Sequence, residues 1–371
     1  MTTIARIDSH VLHVSPKTNW WFLSVTDSSG AVGWGEGSLN AWEPMLDTLC
    51  QQWQTEWLGL NLDQAQQQVR AAPASPGGLV GNTVVSAFLQ AVLGLQAQHA
   101  ACAPHSLLGP VQRQVVPLYA NINRATTDRS PQGFVDTALR ARAQGFERFK
   151  AAPFDGLTPA LCGTAQGQAK IHHGVDCMLA LRDALGPQAL LMVDCHWRFD
   201  EAQALQTLRD LTAAQLHWFE CPLAETHAHW PAMRRLRQAA NDQGVLLAAA
   251  ETQVGLASFQ TLFDEALYDV VMPDVKYCGG PLEMLRIAQR ALDTSIAPSR
   301  GSSARGPSKR RALATWRCVR SAPISLRTGA SNGAIRLANH AAAGRVLVAK
   351  LERSLANRHV GKRGLYPLFE W

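Results

Sequence analysis

Polar residues end one predicted strand after another in the middle of the chain. Lys150, Asp194, Glu220, Glu251 and Asp274 each fall at or next to the carboxyl end of such a strand. A single acid there is commonly a helix cap or a turn former, but five in succession indicate a shared site. Carboxylates packed in an apolar mouth repel one another, so we expect a divalent cation on Asp194, Glu220 and Glu251. Oxygen-only ligation favours Mg²⁺, with Mn²⁺ as an alternative.

Lys150 is the predicted base of this site. A bound cation can hold a substrate carboxylate and stabilise the dianion that forms when the adjacent carbon loses its proton. A lysine among apolar strands and next to Arg148 gives up its own proton more easily than a free lysine. The alternative is that Lys150 simply forms an ion pair with Asp155.

The strands that would position these residues alternate with segments of helical period, which favours a parallel α/β sheet. The strand candidates are VPLYAN (116–121), ERFKAA (147–152), ALLMVDC (189–195), HWFEC (217–221), VLLAAAE (245–251), DVVMPD (269–274) and SIAP (295–298). We predict a (β/α)8 TIM barrel, in which the carboxyl ends of the strands converge on one mouth. Seven strands are one short of closure, so the barrel is expected to be imperfect at its last strands. A doubly wound sheet stays open as an alternative, although no Gly-rich phosphate loop follows these strands.

The chain is predicted to contain two domains. Residues 1–115 form an α+β capping domain with a hairpin at GWGEG, and residues 116–350 form the barrel. Residues 351–371 are expected to return to the capping domain. Within the barrel, 299–347 are anomalous, because residues 294–351 contain eleven Lys or Arg and no acid. We consider two explanations, a pair of compensating frameshifts and a genuine divergent insertion, which resequencing the gene would separate.

Composition limits the partners and the location. The net charge of +6 is local, since the chain without 294–351 holds 24 basic and 29 acidic residues. Together with the lack of interleaved aromatic residues, this argues against nucleic-acid binding. Inspection of the sequence finds no apolar run of the roughly 18 residues that a membrane span needs, so no membrane partner is expected. Eight cysteines without a C-x-x-C pair indicate neither a zinc cage nor a disulfide framework, and they fit the cytoplasm.

As a set, the strand motifs resemble the enolase superfamily, in its mandelate racemase/muconate lactonizing enzyme-like branch. RFK is similar to the K-x-K of the second barrel strand, with Arg148 in the first position and Lys150 in the second. The three metal-ligand strands are matched by LMVDCHWRF, WFECPL and LAAAET, and the sixth strand by VMPDVKYCGG. The resemblance implies Mg²⁺ on the three acids, a small-molecule carboxylate substrate and a homo-oligomer. It also implies that Asp274 partners a catalytic histidine.

His196 directs the resemblance toward acid-sugar dehydratases, which carry D-x-H at this position with the histidine as acid toward the departing hydroxyl. Alternation along a strand predicts that His196 points where Asp194 points. The alternative is a histidine packed beside Trp197 at a loop edge. The predicted activity is therefore that of a lyase, an acid-sugar dehydratase or hydro-lyase. Arg148, Lys276, Lys17 and Trp20 are the expected substrate-binding residues.

The resemblance breaks after the seventh predicted strand, where the family has a histidine. This chain reads SIAPSRGSSARGPSKRR there, and its next histidine is His340. Asp274 therefore lacks its expected partner. Two other functions stay open for this reason: a racemase or epimerase of a 2-hydroxy acid, and a catalytically impaired metal-binding barrel.

Overall fold

The structure is a computed structural model that describes residues 2–15, 18–71, 78–111, 115–296, 313–314 and 334–336. These residues form two compact units. The first runs to Val116 and also includes Val275–Leu282, and the second contains Pro117–Asp274 and continues from Glu283.

The first unit contains an antiparallel sheet and three helices. Its elements are β1 (Ile4–Ser15), β2 (Thr18–Asp27), β3 (Val32–Glu36), α1 (Glu43–Trp57), α2 (Leu62–Ala71) and α3 (Gly78–His99). The sheet order is β1-β2-β3. The glycines of GWGEG let β3 pack directly on the backbone of α3. A Cβ atom on Gly35 would lie 1.7 Å from the Ala87 carbonyl oxygen, and one on Gly33 would lie 2.0 Å from that of Ala91.

Helix α3 corrects one expectation drawn from the sequence. Its length and its mean hydropathy of 1.6 over 18 residues would suffice for a membrane span, so an apolar segment of that length does exist. The small residues and glycines within it had hidden the segment from inspection. In the structure, 67% of that window is buried, and Val84, Phe88 and Val92 are fully buried in the core of the first unit. A core helix passes the same test of length and composition.

The second unit is built around a parallel sheet. The remaining strands are β4 (Val115–Pro117), β5 (Ala120–Asn121), β6 (Arg148–Ala151), β7 (Leu190–Asp194), β8 (Leu216–Glu220), β9 (Leu246–Ala249), β10 (Val270–Val271), β11 (Leu313–Ala314) and β12 (Ala334–Arg336). The helices are α4 (Pro131–Arg142), α5 (Ala165–Leu185), α6 (Glu201–Asp210), α7 (Trp230–Asp242), α8 (Gly255–Asp264) and α9 (Pro281–Ile296).

The strand order confirms the predicted barrel class. Strands β5 to β11 are neighbours in strict chain order, and the pairs from β5 to β11 are all parallel. A doubly wound sheet would reverse its strand order at a switch point, and this sheet does not. Within the described residues the sheet runs from β5 to β11.

The predicted strand SIAP (295–298) is wrong at its start. Helix α9 continues to Ile296, and residues 297–298 lie outside the described part of the chain. The helical spacing of Leu285, Ala288 and Leu292 favours a helix that reaches this point of the chain. The strand next to β10 is β11, which lies in the segment where no periodicity was readable.

Candidate active site

Lys150 stands between two buried carboxylates at the centre of the second unit. Its strand β6 neighbours β7, and Asp194 pairs in register with Glu220 across β7 and β8. The Lys150 Nζ lies 3.1 Å from Asp194 Oδ2 and also donates to Glu220 Oε1. The side chains of Lys150, Asp194 and Glu220 are 1%, 3% and 0% exposed.

The alternative pairing of Lys150 with Asp155 is not what the structure shows. Asp155 instead lies 2.6 Å from Arg129 and 3.7 Å from Arg198. Arg129 also donates to the Asn123 and Ala152 carbonyl oxygens, so these charges connect the segments that follow β5, β6 and β7.

Neighbouring donors fix the orientation of both carboxylates. The Trp218 indole N–H donates to Glu220 Oε2 at 2.9 Å, and the His196 backbone N–H donates to Asp194 Oδ1 at 3.1 Å. Burial alone would raise the pKa of Asp194, but the Lys150 charge and the contacts with His196 outweigh it and hold that pKa below its usual value. Asp194 is therefore ionised, and its Oδ2 faces the Lys150 amine.

His196 reaches Asp194 by a different route from the one expected. Strand β7 ends at Asp194, and His196 adopts a left-handed backbone conformation with φ +49°, so strand alternation does not apply and that argument was wrong. Its ring nevertheless lies against the carboxylate, with Nε2 3.2 Å from Asp194 Oδ2. Burial lowers the pKa of His196. The hydrogen bond to Asp194 and the negative charges of Asp194 and Glu251 raise it by more, so the pKa lies above its ordinary value. The ring is 35% exposed, so it is open to solvent as well as to the acid.

Residues with a left-handed backbone conformation follow β7, β8 and β9, the strands that carry or shortly precede the predicted ligand acids. Besides His196, they are Trp197 (φ +57°), Cys221 (φ +46°) and Ala250 (φ +77°). Outside glycine this conformation costs roughly 1–2 kcal/mol per residue. Such residues concentrate at functional sites, where the surroundings over-determine them.

The structure brings the predicted metal ligands together in part. Among the described residues, potential ligand atoms of Asp194, Glu220 and Cys221 lie within 4.8 Å of one another. Glu251 is not a member of this group; it is partly exposed and lies two residues beyond β9. Its charge contributes to the raised pKa of His196, which puts the carboxylate within electrostatic range of the site.

The donor set fits a hard divalent cation. Asp194 and Glu220 place two carboxylates in a nearly dry site, where Lys150 contacts both and His196 lies against Asp194. A third carboxylate there, from Glu251, would call for a further positive charge, because uncompensated charge is costly in such surroundings. Carboxylate oxygens are the ligands that Mg²⁺ and Mn²⁺ prefer.

The other predicted site residues are placed less closely. Asp274 is buried, at 5% exposure, three residues after β10. Arg148 begins β6, two residues before Lys150, and its charge helps burial to lower the pKa of His217. Trp20 lies on β2 and Lys276 stacks over the Tyr277 ring at 5.0 Å, both in the first unit, and Lys17 lies outside the described residues.

Sequence reasoning missed Glu225. This carboxylate accepts hydrogen bonds from the Trp197 indole and the Ala250 backbone N–H, at 2.9 and 3.2 Å. Burial, the largest influence, raises the pKa of Glu225. The available signal was a second acid five residues after Glu220, in ECPLAE, on the loop that leaves a ligand strand.

Comparisons with known proteins show the family and the fold of the chain. The sequence model of the family described as "Enolase C-terminal domain-like" matches residues 133–318. A D-galactonate dehydratase family member from Streptomyces bingchenggensis is 25% identical over 309 residues, which cover 78% of this chain and 74% of the relative.

Solved structures show the same fold. An enolase from Agrobacterium radiobacter, provisionally named a galactarate dehydratase and holding sodium and L-malate, has a TM-score of 0.67 at 23% identity, covering 79% of this chain and 72% of its own. The 3,6-anhydro-D-galactonate cycloisomerase from Zobellia galactanivorans has a TM-score of 0.66 at 21% identity, covering 79% and 78% of the two chains.

Proposed function

We propose that this chain is a Mg²⁺-dependent hydro-lyase that dehydrates a sugar acid. The chain belongs to the enolase C-terminal domain-like family, in the mandelate racemase-like branch. The observation that carries the proposal is the contact of the buried Lys150 amine with both Asp194 and Glu220. The match to residues 133–318 covers the strands that bear all three residues. The name of the Streptomyces relative supports dehydration of a sugar acid.

The proposed cation ligands are Asp194, Glu220 and Glu251. A bound Mg²⁺ would supply a Lewis acid that neutralises the substrate carboxylate and lowers the cost of the developing dianion. Mn²⁺ would serve the same purpose. Asp194 and Glu220 end β7 and β8, and Glu251 lies two residues after β9, the next strand of the sheet.

Lys150 is the proposed base. It must first give up its own proton, and losing Asp194 and Glu220 as counter-charges to a cation would favour the neutral amine. The amine then takes the proton from the carbon next to the substrate carboxylate. Its near-complete burial keeps bulk water from competing with the amine for that proton.

His196 is the proposed acid. As the C–O bond at the β-carbon breaks, the imidazolium gives a ring proton to the departing oxygen, which leaves as water. The electron pair from the broken C–H bond forms the enol, which tautomerises to a 2-keto acid. The position of the ring supports this role, because its Nε2 lies 3.2 Å from Asp194 Oδ2 and the side chain is partly open to solvent.

The test is incubation with Mg²⁺ and a panel of sugar acids in heavy water, followed by NMR. Dehydration predicts a 2-keto acid product from at least one sugar acid. His196→Asn should abolish dehydration but retain exchange of the α-proton for deuterium, whereas Lys150→Met should abolish both. The matched control is His172→Asn, since His172 is exposed on α5 and should leave both reactions unchanged.

The same experiment separates the alternatives. Exchange without dehydration in the unaltered protein would favour a racemase or epimerase. No reaction across a broad panel would instead favour an impaired metal-binding barrel and would contradict the proposal. A homo-oligomer, a cytoplasmic location and the domain boundary near residue 115 remain predictions that this assay does not address.

A further inference from the structure

The Glu225 carboxylate is bonded to segments that follow three consecutive strands. Its Oε1 accepts from the Trp197 indole N–H at 2.9 Å and the Ala250 backbone N–H at 3.2 Å, and the Cys221 Sγ lies 3.6 Å away. Its Oε2 accepts from the Gln253 side-chain amide at 3.2 Å. One side chain thus connects the loops after β7, β8 and β9.

Those loops are the ones that carry the proposed cation ligands. Trp197 follows Asp194 by three residues, Cys221 follows Glu220 directly, and Ala250 directly precedes Glu251. The spacing of the three acids at the mouth therefore depends on how these loops are held together.

Glu225 also bonds the residues whose backbones most need support. Its partners Trp197, Cys221 and Ala250 all adopt the left-handed conformation, with φ of +57°, +46° and +77°. Such conformations persist only where surrounding contacts over-determine them. A buried acid near other acids is unfavourable unless hydrogen bonds compensate it, and Glu225 accepts several.

We propose that Glu225 is a positioning residue that holds Asp194, Glu220 and Glu251 at the spacing required to bind a divalent cation. It acts through the Trp197 indole, the Ala250 amide and the Gln253 amide. This inference rests on the proposed function for the identity of the cation site. Supporting contacts around metal ligands typically change metal affinity about 10- to 100-fold when they are removed.

The chain provides a matched control at the other end of the same strands. Asp269 is a buried carboxylate directly before β10. It accepts from the Leu247 backbone N–H at 2.9 Å and the Asn241 amide at 2.8 Å, and it pairs with Arg237 at 2.9 Å. Asp269→Asn should therefore lower stability without altering the mouth.

The experiment measures Mn²⁺ affinity by electron paramagnetic resonance, and unfolding in EDTA, for Glu225→Gln, Trp197→Phe, their double variant and Asp269→Asn. The glutamine introduced by Glu225→Gln keeps the size of the side chain, but its NH₂ group would face partners that are themselves N–H donors. We expect Glu225→Gln to weaken Mn²⁺ binding about 10- to 100-fold. Trp197→Phe should weaken it less, and the double variant should add little to Glu225→Gln. Asp269→Asn should leave Mn²⁺ affinity within about twofold of the unaltered protein.

A metal-free measurement keeps the inference testable if Mn²⁺ binding itself fails. In EDTA, Glu225→Gln should speed hydrogen exchange of the Ala250 amide on the order of tenfold, with the Leu247 amide unchanged. Unaltered Mn²⁺ affinity in a variant of a protein that binds Mn²⁺, or unaltered Ala250 exchange, would overturn the role of Glu225. The expected loop exchange effects with no Mn²⁺ bound by the unaltered protein would instead overturn the proposed cation site.

Discussion

Replacing Lys150 with methionine should destabilise the metal-free protein and strengthen its response to Mg²⁺. Methionine keeps most of the volume of the side chain but leaves Asp194 and Glu220, 3% and 0% exposed, without their shared counter-charge. At 3.1 Å, one ion pair is worth about 5 kcal/mol at an effective dielectric constant of 20, before desolvation is subtracted. Removing one partner of a buried pair costs about 3–5 kcal/mol in measured cases.

That loss would be measured by urea unfolding and thermal melting in EDTA. At roughly 2–4 °C per kcal/mol, it corresponds to a fall in melting temperature of about 6–20 °C. Added Mg²⁺ should raise the melting temperature of the variant more than that of the unaltered protein, because the cation no longer competes with an ammonium. Lys170→Met is the control, since Lys170 makes one exposed hydrogen bond to a carbonyl oxygen and should change stability by no more than about 0.5 kcal/mol.

The result that would refute this reasoning is a Lys150→Met variant as stable in EDTA as the Lys170→Met control, with an equal response to Mg²⁺. It would mean that the amine does not neutralise the two carboxylates.

Three further predictions concern stability. Gly35→Ala should destabilise the first unit by about 1–3 kcal/mol in urea unfolding, because its Cβ would lie 1.7 Å from the Ala87 oxygen. The control is Gly94→Ala inside α3, where the nearest atom to the added Cβ is 3.9 Å away, and this variant should be more stable by up to about 1 kcal/mol. Equal effects of the two substitutions would contradict the packing argument. Arg182→Met should lower the free energy of unfolding by several kcal/mol, because each buried carbonyl oxygen left without a donor costs roughly 1–3 kcal/mol. The Arg182 guanidinium donates to the carbonyl oxygens of Gly186, Ala189, Ala214 and Gln215. A loss under about 1 kcal/mol in urea unfolding would show that water replaces the guanidinium. Burial raises the pKa of Asp27, but hydrogen bonds from Ser29, His99 and Ala31 outweigh it and lower that pKa below 3.8. The ionised Asp27 should therefore contribute fully to the stability of the fold above about pH 4, and this contribution should be lost as the pH falls through the pKa of the folded state. Asp27→Asn should flatten the acid limb of a plot of stability against pH, and an unchanged limb would assign that dependence to other groups.

Strand-end reasoning located Lys150, Asp194 and Glu220 because it depends on a simple geometric rule. Parallel strands that are adjacent in the sheet end at one edge, and β6, β7 and β8 are consecutive neighbours. Residue type and order along the chain were therefore sufficient to predict that these three side chains come together. The alternation of strand and helix predicted a parallel sheet, but it left the strand order open between a barrel and a doubly wound sheet.

Features governed by local backbone conformation were not predictable in this way. Strand β7 ends at Asp194 and the chain turns left-handed at His196, and hydrophobic periodicity carries no signal for such a turn in a non-glycine residue. The role of Glu225 depends on which loops meet, which is a long-range property. At α9, a helical period and a short β-rich run meet near residue 296, and the helix continues to Ile296.

The most direct test of the central claim is an anomalous diffraction map from crystals soaked in Mn²⁺. The account predicts one strong peak about 2.0–2.3 Å from carboxylate oxygens of Asp194, Glu220 and Glu251, the range expected for a small divalent cation. No peak among these residues at saturating Mn²⁺, or a peak coordinated without Asp194 and Glu220, would contradict it.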